Sequence, residues 1–348
     1  MRQFIKRPLF ILSLTILTVF SCNKDDDSST SQPINEIDQV AFLLYDFSTD
    51  SFSTFYKGET TLLNSSNGDS FAGSISKDGD DIYTAGSQKI NDVWNIALWK
   101  NGILDTNTPV TNEICYIEAM DVDNGNIYLA GRRVYDDRID AAYWMNNTYN
   151  VLAKSKDNTF ANAIEVNNNL ITIAGRQSQT MSPTSASAWE NNTLYEINGA
   201  EFVDNTAQCV YNDGSNPLYG GYKRVESVFT PIIWDKNGPV STYTLPTGKS
   251  GIIRKLTKYQ NSTYALINTN ITINGSQTRA VELWKDGVFQ ETIIEEIDGS
   301  VTPVFLGEIN GKLYYAASSN TSNVFKTFDE TLSLPIEVTQ KKMVGIAH

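Results

Sequence analysis

Three observations predict an all-β fold, a seven-bladed β-propeller of four-stranded antiparallel blades. The first is a repeat: Ala97-Leu98-Trp99-Lys100-Asn101-Gly102 returns as Tyr143-Trp144-Met145-Asn146-Asn147, Ala188-Trp189-Glu190-Asn191-Asn192, Ile233-Trp234-Asp235-Lys236-Asn237-Gly238 and Leu283-Trp284-Lys285-Asp286-Gly287. Weaker copies stand at Phe55-Tyr56-Lys57-Gly58 and Phe328-Asp329-Glu330-Thr331, so the aromatic positions 55, 99, 144, 189, 234, 284 and 328 are 44, 45, 45, 45, 50 and 44 residues apart. A period of that size filled with β-forming runs is the length of one propeller blade. The second observation is the content of each period, which supplies four short strands. The third is a pair of remnants at the ends of the repeat array that complete one another.

Within a period the strands come in a fixed order. The first covers residues 71–76, 117–121, 161–165, 207–211, 253–257 and 303–307. Turns such as Lys77-Asp78-Gly79-Asp80 and Asp123-Asn124-Gly125 follow it, and Asp-Gly and Asn-Gly pairs are the strongest short hairpin signal. The second strand covers 81–86, 126–131, 170–175 and 218–221, apolar almost without alternation, as expected of a strand packed on both faces. It closes on Gly86, Gly131, Gly175 or Gly220-Gly221, whereas the copies at 264–267 and 313–317 lose the glycine. The tryptophan strand is third, and a short fourth strand follows its turn.

Six periods are complete. Ahead of them, residues 40–45, 50–55 and 60–64 supply a second, third and fourth strand without a first, and residues 343–347 supply a first strand without a hairpin. Joining the two remnants makes the seventh blade and removes the open edges of an unclosed stack. Dividing the 312 residues of 37–348 by seven returns about 45, the observed repeat.

The first 36 residues have a different organisation. Arg2, Lys6 and Arg7 precede an apolar run from Leu9 to Phe20, which is too short for a bilayer span of about 20 residues, and Val19-Phe20-Ser21-Cys22 ends in cysteine. Residues 1–21 are expected to be a signal peptide, and residues 22–36 a lipidated Cys22 with a flexible acidic tether. An ordinary secretory signal with an incidental cysteine is the alternative. Asn23-Lys24-Asp25-Asp26-Asp27 resembles the acidic export tag of surface-exposed lipoproteins of Bacteroidota. That resemblance implies an outer-membrane, lipid-anchored and surface-exposed protein, with the membrane as a partner through its N-terminal lipid. The repeats at 40–348 are similar to those of extracellular bacterial propeller lipoproteins and more distantly to Kelch blades, although a Gly-Gly pair occurs only at Gly220-Gly221. The resemblance implies fold and location but no activity.

The charge is −13; loss of residues 1–21 removes three of the 27 basic residues, leaving 24 against 40 acidic and a charge of −16. That balance argues against a nucleic-acid partner. A monomer is expected, with no cofactor and no metal. The only histidine is His348, so Ser-His-Asp and Cys-His constellations are excluded within one chain. Cys115 and Cys209, at non-equivalent places in their repeats, are expected to be buried and unpaired. The five repeat tryptophans are expected to wedge neighbouring blades together rather than to form sugar platforms. Glu118, Asp121 and Glu165 fall on innermost strands, where a glycosidase or lyase acting on polysaccharide would place its carboxylates; the alternative is solvated channel lining.

Segments 87–92, 132–140, 176–187, 222–230 and 268–279 read as long irregular loops between second and third strands, the usual place for binding residues. Three consecutive blades begin this segment with cations: Arg132 and Arg133, Arg176, then Lys223 and Arg224. They are expected to form a cationic arc for an anionic group of a glycan or protein ligand, unless Asp136, Asp137 and Glu226 pair with them. The function expected is a binding or scaffolding module, with the polysaccharide-acting enzyme as the alternative.

Overall fold

The computed structural model describes residues 36–64, 70–107, 114–179, 183–197, 204–273, 275–328 and 330–348. Cys22 and the segment 1–35 lie outside them, as does Asp329. The described chain forms a seven-bladed β-propeller of antiparallel sheets. Blade 1 is Ser70–Asp78, Asp81–Ile90, Val93–Lys100 and Ile103–Leu104. Blades 2, 3, 4 and 5 open with Ile114–Asp123, Asn158–Asn167, Asp204–Tyr211 and Lys249–Tyr259 and have four strands each. Blade 6 has three strands, Val301–Ile309, Lys312–Ser319 and Asn323–Lys326, with a single bridge from Lys326 to Thr331 in place of a fourth. Blade 7 is closed as the two remnants require: Lys342–Ala347 pairs with Ala41–Asp46, which is followed by Ser51–Tyr56 and Glu59–Leu62.

The turn after each tryptophan strand explains its polar residues. Asn101, Asn146, Asn191 and Asp286 have positive φ, which the tight primed hairpin turn demands and which Asn and Asp tolerate best. Their side-chain oxygens also accept the backbone N–H of Ile82, Ile127, Ile171 and Thr263 at 2.8, 2.9, 3.0 and 2.8 Å. One residue therefore makes the turn and satisfies a donor on the second strand.

The core is divided among the blade junctions, with one buried cluster of described residues at each of the seven. Trp99, Trp144, Trp189, Trp234 and Trp284 are all buried and pack against the preceding blade, as the wedge expectation requires. Phe55 takes the place in blade 7, in register with Phe42. In blade 6 the spacing pointed to Phe328, but the register places Lys326 opposite Tyr315, where a tryptophan stands in the other blades. Lys326 reaches Glu291 of blade 5 at 2.5 Å, and Phe328, beyond the end of the strand, lies over Tyr264 and Tyr315. Spacing alone could not separate a wedge inside the strand from a ring folded back over it.

Every first strand carries a β-bulge at the same height. The extra residues are Gly73, Glu118, Asn162, Gln208, Arg254, Val304 and, in blade 7, Val344. The bulge accounts for the glycine inside the second strand of blades 1 to 4. A Cβ on Gly86, Gly131, Gly175 or Gly221 would lie 1.8 to 2.0 Å from the carbonyl oxygen of Phe71, Tyr116, Phe160 or Thr206, just ahead of the bulge. Blades 5 and 6 keep the bulge with Ile267 and Ala317 at that place.

The segments expected to be long loops are largely strand. Asp81–Ile90, Asn126–Val134, Leu170–Ser178 and Leu218–Val225 run on past the glycine, Ser262–Ile273 runs on past Ile267, and all five pair with the returning third strands. Their polar side chains resemble loop sequence because this end of each blade is half-solvated, while the backbone ladder continues beneath them.

Candidate functional site

The first strands of the seven blades enclose a central channel of about 510 Å³. The common bulge arranges its wall in layers. Glu118, Asn162, Gln208 and Arg254 occupy four consecutive bulged positions and are linked to their surroundings by polar contacts. Glu118 ion-pairs with Arg132, Asn162 Nδ2 donates to the Ala207 carbonyl at 2.8 Å, and Arg254 Nη1 donates to Gln208 Oε1 at 2.5 Å. One residue further on stand Ser74, Ala119, Ala163, Cys209, Lys255, Phe305 and Gly345, of which Lys255 alone is charged. Among the described residues Lys255 has no hydrogen bond or ion pair, and burial pushes its ammonium below the ordinary lysine range.

Deeper toward the first hairpin turns, the carboxylates stitch blades together. Asp121 accepts the backbone N–H of Val122 at 2.8 Å and, across the junction, that of Val166 at 2.7 Å. Glu165 accepts the N–H of Asn212 in blade 4 at 2.8 Å. Burial raises Asp121 to about 6 against the pull of these amides. Burial, reinforced by the charge of Asp121, raises Glu165 to about 8. His348 stands at this end, its ring edge-on to Phe305 with centroids 5.4 Å apart. The channel thus contains the three carboxylates predicted for it, and two of them are committed to backbone amides.

The opposite mouth carries a row of rings and guanidinium groups. Trp94 meets Tyr116 with centroids 6.4 Å apart; Arg132 lies over Tyr116 at 4.9 Å and over Phe160 at 5.7 Å; Arg176 covers Phe160 at 4.4 Å. All five side chains are half-buried. Tyr116 and Phe160 sit two residues ahead of the bulged Glu118 and Asn162, so the row flanks the channel opening. Trp94 was not singled out from sequence. Its signal was available, since it is the one tryptophan off the 45-residue period.

The five basic residues of the expected arc are divided. Arg132 and Arg176 converge on Phe160. Arg133, the next residue along the strand, faces the other side of the sheet, over Tyr149 at 4.5 Å and Tyr135 at 5.4 Å. Arg224 ion-pairs with Asp204, and Lys223 stands beside it in register with Asn205. The partners of Arg132 and Arg224 are Glu118 and Asp204 on the neighbouring first strands, in place of the acidic residues within their own segments. Cys115 and Cys209 are both buried and form no disulfide, and burial pushes the Cys209 thiol up to about 12. No group of three or more His, Cys, Asp or Glu among the described residues is placed to hold a metal ion.

No family model matches the sequence, and no curated protein matches it. Similar solved structures include a protein from Lactobacillus plantarum at 10% identity, covering 88% of this chain and 98% of that one with a TM-score of 0.47. The endo-arabinase from Bacteroides thetaiotaomicron matches at 10% identity over 62% of this chain and 93% of that one, with a TM-score of 0.36. TolB from Acinetobacter baumannii matches at 12% identity over 72% of this chain and 62% of that one, with a TM-score of 0.40.

Proposed function

We propose that the chain is a lipid-anchored cell-surface binding or scaffolding module whose ligand enters the central channel at the mouth bordered by Trp94, Tyr116 and Phe160. The observation that carries this reading is the row of half-buried rings and arginines beside an open polar channel. Aromatic faces accept the apolar side of a sugar or peptide, and guanidinium groups held over those faces leave donors free at their edges. The channel volume falls within the range of about 300 to 1,000 Å³ usual for small-molecule sites. Anchoring rests on the Cys22 sequence pattern. A screen of a glycan array by residues 37–348, with a protein pull-down beside it, tests the binding reading. Retention of a glycan or partner that is lost in Trp94→Ala/Phe160→Ala supports it, and retention of nothing in either format leaves only a structural surface protein. Detergent phase partitioning of Cys22→Ala tests the anchor: a soluble or unprocessed product is expected, and normal membrane retention excludes lipid at Cys22.

A second reading, an enzyme acting on polysaccharide, is favoured by one feature: burial raises the Glu165 carboxyl to about 8, the direction a general acid needs. Weighing against it, Asp121 has both carboxylate oxygens occupied by backbone amides. Loss of glycan cleavage in Glu165→Gln with retained binding would favour the enzyme.

A further inference from the structure

We propose that the channel receives the carboxylate of a singly charged ligand between Arg254 and Lys255 on the first strand of blade 5. The proposal rests on the reading of the channel as a binding site and specifies what binds there. Successive residues of a regular strand point to opposite faces, so one strand offers a channel only every second side chain. The bulge between Ile253 and Lys255 breaks that rule, and both Arg254 and Lys255 line the cavity.

The partners of the charged groups show which sign is unmatched. Glu118 is paired with Arg132, both oxygens of Asp121 and one of Glu165 accept backbone amides, and Lys258 faces Asp213 at 3.5 Å. Arg254 is held only by a neutral amide, and Lys255 has no partner among the described residues. Glu308, exposed on the channel wall, makes no ion pair with either of them among the described residues. A half-enclosed ammonium without a counter-charge is costly unless an anion joins it, and the exposed guanidinium of Arg254 stands next to it on the same bulge. The layer around Lys255 is otherwise mostly small, and Ser74, Ala119 and Ala163 of that layer line the cavity with it.

A planar guanidinium beside an ammonium fits both oxygens of a carboxylate. A doubly charged phosphate would meet the same cations, but it would be repelled more strongly by Asp121 and Glu308 in the same channel, and this favours the monoanion. A carboxylate reaches such a site on an acidic sugar or at the C-terminus of a peptide.

The test titrates the detergent-solubilised full chain with D-glucuronate and with N-acetyl-alanyl-alanine. D-glucose and the dipeptide amide serve as neutral counterparts and inorganic phosphate as the dianion, all measured by calorimetry. At least one carboxylate should bind about tenfold or more tightly than its neutral counterpart, and Arg254→Gln and Lys255→Met should each weaken it about tenfold or more. Lys255→Arg, which keeps the charge, should retain binding; it also covers the case in which Lys255→Met fails to fold. Which of the two carboxylates binds identifies the source. Absence of carboxylate binding, equal affinity in the charge-removing variants, or tighter binding of phosphate would each overturn the proposal. A neutral glycan retained on the array without any carboxylate response would overturn it while leaving the binding reading in place.

Discussion

Glu165 shows how one side chain ties fold to solution conditions. Its carboxyl is raised from 4.5 to about 8 in the folded chain, so between those values the native state keeps a proton that the unfolded chain has released. The stability contributed by that proton is complete below pH 4.5 and is lost as pH rises to about 8, and Asp121 follows the same sign between 3.8 and about 6. Urea denaturation should therefore show the protein less stable at pH 8 than at pH 5. Glu165→Gln, which keeps an acceptor for Asn212, should flatten that slope and gain on the order of a few kcal/mol at pH 8. Equal slopes in the two proteins would remove this account. A second residue prediction concerns the bulge: Gly175→Ala would place a methyl 1.9 Å from the Phe160 carbonyl, and a loss of more than about 1 kcal/mol is expected by the same denaturation. Glu118, Asp121 and Glu165 were legible in the sequence because a channel position follows from strand order alone. The pair Arg254 and Lys255 was not, since alternation assigns neighbouring residues to opposite faces and nothing in residues 253–257 announces the extra residue. The Ala-Gly that marks close backbone approach opposite the bulge in blades 1 to 3 is replaced in blade 5 by Leu266-Ile267, so the opposing strand carries no trace of it either.

At the level of the blade, the third strand does most of the wedging, and its contribution depends on what stands at one register position. Trp189 is fully buried between blades 2 and 3 and donates its indole N–H to the Ala153 carbonyl at 2.6 Å. Trp189→Ala should cost about 3–5 kcal/mol in chemical denaturation. Lys326 holds the equivalent place in blade 6 with a partly exposed ion pair, and Lys326→Ala should cost about 1 kcal/mol or less. Comparable losses in the two variants would show that the junctions are not wedged by this residue. The four-strand period was legible from turn chemistry and the tryptophan spacing. The strand extensions beyond Gly86, Gly131, Gly175 and Gly221 were not, because composition reports solvation and backbone pairing persists where side chains are wet. Among the described residues no fourth strand follows in blade 6: Thr327 N–H bonds to Glu330 O in a local turn, and Leu332 N–H makes a lone return to Phe325 O of the third strand.

For the whole molecule, closure rests on Lys342–Ala347, which forms the inner strand of blade 7 and contributes Met343 and Ile346 to the junction with blade 6. Removing residues 343–348 would strip blade 7 of its channel strand and leave Ala41–Asp46 with an unpaired edge. Differential scanning calorimetry should then show a markedly lower melting temperature, and an unchanged one would mean that the ring does not depend on this strand. Seven blades were legible because the two remnants match and the length divides evenly. The same seam also imposes an order of events. Ala41–Asp46 leaves the ribosome early, and its partner follows about 300 residues later, so the first blade to be made is the last to be finished. For all that interval the nascent chain carries a strand edge that stays unpaired until Lys342–Ala347 docks on it.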